Sequence, residues 1–519
     1  MHLYHSSLLA LLNLYHNHNG LLLSGTICTN TLDSAHMSVI CYEKGFDMDW
    51  TLAQYNEDFD LLAFNGAIEK LENWLGYPKS IKDFTYSQDM CKRSCILDKQ
   101  KGNILKIDMH NYVTVAEHGL TELTSEDRKE IYMNKYYEMH AFIGPNFVNI
   151  DTPFSLIDAS LFVQLVDLKD RLDIEMGDNS PLKSKSYEEL WIDLRKCVDS
   201  CHKDGVIKKP VEENPEKYIT YDPNIFPMLE SFRKSGRKTF LLTNSLWDYT
   251  QVVMNYLESK KSGSDKNLAW TEYFDVIICG GNKPNFLVDS RLPIFRVLPS
   301  DSSSASETMS NVDVLPQSKA EVSAFLNEGK LFQGGNAQIL QNLLQITSGD
   351  KLLYVGDHVY ADVLRSKRTL GWRTCLIIPE LTNEIVTHKN QRRPRMKLID
   401  LRRDQFILEQ ELDDTIEEEM RTILKDRLVS LELRIKDKLQ KYSRGYHPKW
   451  GALFKAGFQQ SRFSKQICDY ACIYTSRASN LGLVSPLRPF RPVRDQLPHD
   501  IFMDQILKES QDVSDNEED

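Results

Sequence analysis

An α/β fold built on a parallel sheet is what three stretches of this 519-residue chain predict. Each is a short apolar run that ends in polar groups. The run 39–42, with Gly45 and Phe46, leads into Asp47-Met48-Asp49-Trp50-Thr51. The stretch 236–245 is an apolar run ending in Thr243-Asn244-Ser245, and the stretch from Lys351 leads through an apolar run into Gly356-Asp357. Such a run reads as a buried strand, and open α/β sheets take their ligands at the C-terminal strand ends. At period 2, Asp47, Asp49 and Thr51 would share one side of an extended chain. Residues 351–378 add strand, helix and strand in succession, a βαβ unit.

The other elements follow in order. Residues 61–75 carry a helical apolar pattern closed by Gly76-Tyr77-Pro78. Residues 104–108 and 112–115 read as paired strands around His110-Asn111. From 151 to 205 the chain reads as helix, broken at 177–181. Within it, Leu190, Trp191, Leu194, Val198 and Cys201 form an apolar stripe, and Arg195, Asp199 and His202 occupy a neighbouring face. That polar face is either an ordinary solvated surface or the substrate-facing edge of a cap. A helix at 225–235, a strand within 236–245, a strand at 274–279 and a helix at 337–344 complete the second half. The Ser-, Asp- and Glu-rich stretch 299–317 reads as a disordered insertion, and 510–519 as an acidic disordered tail. Residues 404–442 form a highly charged helical stretch, suited either to packing on its own core or to a homo-oligomer seam. The basic run 392–403 reads as solvated surface or a polyanion contact.

Composition narrows the function. A net charge of -11 argues against a nucleic-acid partner, and no apolar run approaches the roughly 20 residues that span a bilayer, so no membrane partner is expected. Six of the ten cysteines fall in Cys-x3-Cys pairs (91/95, 197/201, 468/472). That spacing suits one helix face better than a zinc site, and reduced, buried thiols fit a reducing, cytoplasmic setting. Residues 1–37 are leucine-rich with no Lys or Arg. They match neither a secretory nor a mitochondrial signal and read as a disordered leader or an incorrectly chosen start.

Two carboxylates at one strand end suit phosphoryl transfer. One can attack phosphorus, and the other can protonate the leaving oxygen and then activate water. A Mg²⁺ would relieve the repulsion between carboxylate and phosphate. An EF-hand is excluded, because its sixth and twelfth positions would be Leu52 and Asp58. A glycosyltransferase-type Asp-x-Asp and a plain surface turn remain alternatives for this stretch alone. Thr243, Asn244 and Ser245 can hold a phosphate with hydroxyl, amide and backbone N–H groups, and Lys283, just past the strand ending at Cys279, can add positive charge. Asp357 can ligate a metal directly, with Asp362 orienting it or binding a metal-held water.

The stretches Phe-Asp-Met-Asp-Trp-Thr-Leu-Ala (46–53), Leu-Leu-Thr-Asn-Ser (241–245) and Val-Gly-Asp-His-Val-Tyr-Ala-Asp (355–362) resemble the motifs of the haloacid dehalogenase-like (HAD) phosphatases. With Gly-Trp-Arg-Thr (371–374), Ile-Pro-Glu-Leu (378–381) and the arginine-rich run 488–495, the chain resembles the cytosolic purine 5′-nucleotidases from about 46 to 500, and more closely their 5′-nucleotidase domain-containing branch. The resemblance implies a HAD-like Rossmannoid parallel sheet core with an inserted, mostly helical cap and a helical C-terminal extension. The divisions are core at 38–115 and 216–400, cap at 116–215 and extension at 401–509. It implies Asp47 as nucleophile, Asp49 as acid/base, and Thr243, Asn244, Ser245 and Lys283 on the phosphate. Mg²⁺ would be held by Asp47, the backbone carbonyl of Asp49 and Asp357, with Asp362 supporting. On the cap, Phe154 takes the base-stacking position, and Arg195, Asp199, His202 and Lys208 the substrate-contacting ones. The implied substrate is a purine nucleoside 5′-monophosphate. The pattern departs at Asp151, where a base-contacting Asn is expected, at Lys203, which replaces an aromatic, and at 140–149, where an expected Arg is not evident.

Overall fold

The computed structural model describes residues 27–29, 43–133, 142–260, 268–298, 308–312 and 314–490. Apart from 27–29, the expected leader lies outside these residues, as do the apolar run 39–42, most of the run 488–495 and the acidic tail.

Ten strands form the main sheet: β1 (Ile27–Thr29), β2 (Glu43–Phe46), β3 (Thr239–Leu242), β4 (Val276–Cys279), β5 (Ile294–Leu298), β6 (Thr308–Asn311), β7 (Leu331–Gly334), β8 (Leu352–Gly356), β9 (Arg373–Ile377) and β10 (Ile473–Thr475). Their order is β1-β10-β9-β8-β2-β3-β4-β7-β5-β6. From β10 across to β7 the pairing is parallel. β1, β5 and β6 add antiparallel edges. The parallel strands are short and, apart from β2 with Glu43 and Lys44, mostly apolar, as strands covered on both faces tend to be. β2 sits between β8 and β3, with Phe46 level with Val355 and Leu241. That register brings the residues after each of the three strands to one edge of the sheet.

Four expectations change. Thr308–Asn311, inside the stretch expected to be disordered, pairs with β5, since Thr, Met and Ser can complete an edge ladder without burying much surface; residues 299–307 lie outside the described residues. The hairpin expected within the core at 104–115 belongs to a separate five-stranded antiparallel sheet with Cys95–Asp98, Phe147–Asn149 and Thr121–Glu122. Both neighbours of β2 are supplied from far along the chain, so the hairpin pairs locally, turning at Asn111 with φ 68°. The C-terminal extension is not only helical: Ile473–Thr475 returns to the main sheet beside β9. Its three residues are too short a run to stand out by period. Finally, residues 404–442 are not one helix.

Three long helices cover the site. α1 (Glu57–Leu75) starts at an Asn56 cap and ends at Gly76 in the left-handed region. α2 (Ser155–Met176) is buried along most of its length. α3 (Tyr187–Lys203) opens with a Ser186/Glu189 capping box. It buries Leu190, Trp191, Leu194, Cys197, Val198 and Cys201 and packs on α1 and α2. Further on, α4 (Arg392–Asp414) and α5 (Glu418–Arg444) form a helical hairpin that turns at 415–417 and takes in the basic run 392–403. Among the described residues, no helix is long and apolar enough to cross a membrane. The cysteines of the three spaced pairs are unbridged, and all but Cys468 are buried.

Candidate active site

The chain does not stay extended through Asp47, Asp49 and Thr51. It leaves the sheet after Phe46 and turns through Trp50, whose φ is 53°. Thr51 is buried, and its hydroxyl bonds neither carboxylate: it has no hydrogen-bond partner among the described residues. The turn still aims both aspartates at the strand ends. The Asp47 backbone N–H donates to the Val355 carbonyl at 2.9 Å, which pins it between β2 and β8.

Around Asp47 lies a nearly dry cluster. The Lys283 ammonium stands 2.9 Å from Asp47 Oδ2 and 2.8 Å from Asp362 Oδ1. It also donates to the Tyr354 hydroxyl at 2.8 Å, which passes a bond to the Leu242 carbonyl at 3.0 Å. Asp357 accepts from the Thr152 hydroxyl at 2.7 Å. Gly356 is required here, because a Cβ at that position would stand 2.5 Å from the Asp362 carboxyl. Ligand oxygens of Asp47, Asp357 and Asp362 lie within 4.8 Å of one another. Burial, with Asp362 and Asp357 close by, pushes the Asp47 carboxyl well above the usual range, against the pull of Lys283. Burial and Asp362 push Asp357 up to about 6. Burial works against the Lys283 charge, yet Asp362 and Asp47 outweigh it and hold the ammonium above its usual range. Three hard oxygen donors facing one ammonium leave a surplus of negative charge. That surplus suits an oxygen-seeking divalent cation such as Mg²⁺. The grouping places Asp362 alongside Asp47 and Asp357.

Asp49 faces the other way, into a cleft. Tyr55 donates to its Oδ1 at 2.6 Å and Ser245 to its Oδ2 at 2.7 Å, with Thr243 3.5 Å from the same oxygen. Tyr249 in turn donates to Tyr55 at 3.2 Å. Asn244 and Lys283 exchange hydrogen bonds, side-chain Oδ1 to backbone N–H at 2.6 Å and Nδ2 to carbonyl at 3.1 Å, which ties the ends of β3 and β4 together.

The cleft, of about 580 Å³, has Asp49, Asn244 and Ser245 at its floor and Phe154, Arg195, Val198, His202, Lys203, Ile207 and Lys208 on its walls. Phe154 stands edge-on to Trp50 and His202, with ring centroids 6.2 and 5.9 Å away. Burial and Arg195 lower the pKa of His202. Lys208 reaches Asp248 at 3.2 Å. Arg195 is held between Asp158 and Asp199. Of the expected residues, Asp199 contributes by bracing Arg195 and does not line the cleft. Asp47, Thr243, Lys283, Asp357 and Asp362 form the buried layer next to its floor. Asp151, expected against a base, does not line the cleft; it is buried 3.6 Å from His358, beside Asp357.

Several contributors escaped the sequence. Asp158, Tyr55, Tyr354 and Thr152 each touch a named site residue, and Tyr249 touches Tyr55. Tyr354 and Tyr55 sit inside or next to the quoted motifs, so proximity was an available signal. Arg93 had none: it is fully buried, pairs with Glu380 through Nε at 2.8 Å, and reaches the Asp357 carbonyl at 3.4 Å from a loop more than 260 residues earlier.

This arrangement agrees with what the chain resembles. 5′-Nucleotidase domain-containing protein 2 of Rattus norvegicus is 27% identical over 478 residues, covering 89% of this chain and 78% of that protein. The model of the 5′ nucleotidase family matches residues 27–502. With nearly the whole sequence inside that match, the chain belongs to the 5′ nucleotidase family.

Proposed function

We propose that this protein is a Mg²⁺-dependent, HAD-type phosphomonoester hydrolase, a 5′-nucleotidase acting on nucleoside (purine) 5′-monophosphates through an aspartyl-phosphate. The observation that carries the reading is the cleft, which runs from Asp49, Asn244 and Ser245 to the ring of Phe154 and the cations Arg195, Lys203 and Lys208. A phosphate belongs at the first end and a flat base at the second.

In the first step an Asp47 oxygen bonds to phosphorus as the phosphorus–O5′ bond breaks, and Asp49 passes its proton to O5′. In the second, Asp49 takes a proton from water as the water oxygen bonds to phosphorus and the Asp47–phosphorus bond breaks. Tyr55 and Ser245 hold the Asp49 carboxyl in place for both transfers. Lys283, Asn244, Ser245 and Thr243 receive the phosphoryl oxygens. Asp47, Asp357 and the Asp49 carbonyl, with Asp362 supporting, would hold Mg²⁺, which when bound neutralises charge between carboxylate and phosphate. The expected setting is cytoplasmic.

The test compares two substrates. Phe154→Ala should raise KM for a nucleoside monophosphate on the order of tenfold or more, because base stacking is lost. p-Nitrophenyl phosphate, which has no base, should be hydrolysed within a few-fold of wild type. Equal effects on both substrates would overturn base recognition. They would favour a second reading, a phosphatase for another phosphomonoester, to which one feature also points: Arg195 is already engaged by Asp158 and Asp199.

A further inference from the structure

Exposed large apolar side chains are denser along the α4–α5 hairpin than along the rest of the described residues. Nine of the 24 exposed large apolar side chains among the described residues lie within 392–444: Met396, Ile399, Phe406, Ile407, Ile416, Met420, Ile423, Val429 and Leu433. Concentration on one element, rather than scatter, marks a surface that expects cover. Two antiparallel helices share only a narrow seam, here Leu398, Leu401, Leu408, Leu424 and Ile435. A bundle of four buries a second face of each.

One face of the hairpin is a groove of about 750 Å³ lined by Ile407, Leu408, Ile423 and Leu431 among charged groups. Those groups are Asp404 and Glu411 on α4, and Asp426, Arg427 and Arg434 on α5. None of the five forms an ion pair with another described residue. The helices are antiparallel, so Arg434 lies at the Asp404 end of the groove and Glu411 at the Ile423 end. A two-fold axis through the middle of the groove carries the Arg434 end of one copy onto the Glu411 end of the other. The same axis carries the Ile423 end of each copy onto the Asp404 end of the other and leaves Ile407 nearer the middle. Such self-complementarity is what an isologous interface needs. Helices of 23 and 27 residues run about 35 Å at 1.5 Å per residue, and two of them side by side are about 20 Å wide. The groove itself takes up about half of that length, and two hairpin faces in contact along the whole of it would bury roughly 700 Å² per copy, close to the ~800 Å² per partner of a stable interface.

We propose that the α4–α5 groove is a homodimer interface, occupied by the same groove of a second copy, with Glu411 paired to Arg434 across it. Light scattering coupled to size exclusion on the full chain tests this at about 20 µM. Wild type should run as a dimer or a dimer-based oligomer. Ile407→Asp with Ile423→Asp should halve its mass while circular dichroism keeps its helix content. Glu411→Arg alone and Arg434→Glu alone should each weaken the dimer at least tenfold, and the two together should restore it. Salt should weaken the wild-type dimer. A wild-type monomer would overturn the proposal and leave the groove to some other occupant, such as the chain's own acidic tail. So would a dimer indifferent to the Ile407/Ile423 pair, or a double charge swap that behaves as the sum of its parts.

Discussion

The floor and the wall of the cleft are built on different principles. At the floor and in the layer next to it, charged groups are tied to several partners at once: Lys283 to Asp47, Asp362 and Tyr354, and Asp49 to Tyr55 and Ser245. These ties link β2, β3, β4 and β8, and the layer is almost dry. The wall hangs on α3 and its neighbours, where Arg195 and Lys208 are half-buried and Asp199 is exposed. A dry, over-tied layer fixes geometry, and every member lost leaves an unpaired buried charge. A wet wall tolerates exchange. The three motifs at 46–53, 241–245 and 355–362 accordingly supply the floor and the layer next to it, whereas Lys203, on the wall, departs from the pattern.

The sharpest way to break the comparison is at Asp47. Asp47→Asn should lower turnover on the order of a thousandfold or more, because an amide cannot attack phosphorus. Thermal unfolding should show the fold intact; near-wild-type turnover in a folded variant would end the covalent mechanism. Next in size is the metal. Chelation should abolish activity and Mg²⁺ restore it, and Asp357→Ala should raise the Mg²⁺ needed roughly a hundredfold. Calorimetric titration of Mg²⁺ provides a readout independent of turnover, and unchanged affinity in Asp357→Ala would remove that residue from the metal site.

The wall should respond less, and unevenly. Asp158 leaves only 6% of its side chain exposed and Asp199 leaves 51%. Surface pairs contribute little and buried ones much when broken. Asp158→Asn should therefore raise KM for a nucleotide about tenfold, and Asp199→Asn at most about twofold. Equal effects from the two would mean that Arg195 is not oriented from its buried side.

A carboxylate outside both regions should answer to pH through stability alone. Asp60 on α1 accepts from the Tyr86 hydroxyl at 2.8 Å, and burial pushes its pKa to about 7 from an ordinary 3.8. The folded state thus keeps a proton that the unfolded chain gives up near pH 4. Stability contributed by this group is whole below pH 4 and is lost as pH rises to about 7. Asp60→Asn mimics the neutral acid. Its advantage over wild type should grow between pH 4.5 and 7.5 by on the order of 2 kcal/mol in chemical unfolding, with catalysis within twofold. A difference independent of pH would refute the assignment.

How much of this could be read from the chain follows the same division. β3, β4 and β8 were legible because each is an apolar run bounded by polar residues, and the polar residues after each run were legible as site groups for the same reason. The turn at Trp50 was not: a tryptophan at φ 53° obeys no local preference and is held by its packing on Tyr55 and Phe154. Arg93 and β10 were illegible for a second reason. Both gain their meaning from partners far away in sequence, Glu380 for the first and β9 with β1 for the second. Phe154, Arg195, His202 and Lys208 came from resemblance, and α3 carried only an ambiguous polar face.

The strand order also sets a timetable for synthesis. β2 is made early, yet one of its two neighbours begins at Thr239 and the other at Leu352, roughly 300 residues after Phe46. At about 5–20 residues per second, the ribosome leaves β2 without its second neighbour for roughly 15–60 s. During that interval the strand has an open edge, the geometry that recruits other chains. The separate five-stranded sheet and α1–α3, whose pairings are local, can form while the nascent chain waits. A message cut short before Leu352 would release a chain with one folded lobe and an unsatisfied central strand, a substrate for chaperones and proteases rather than a smaller enzyme.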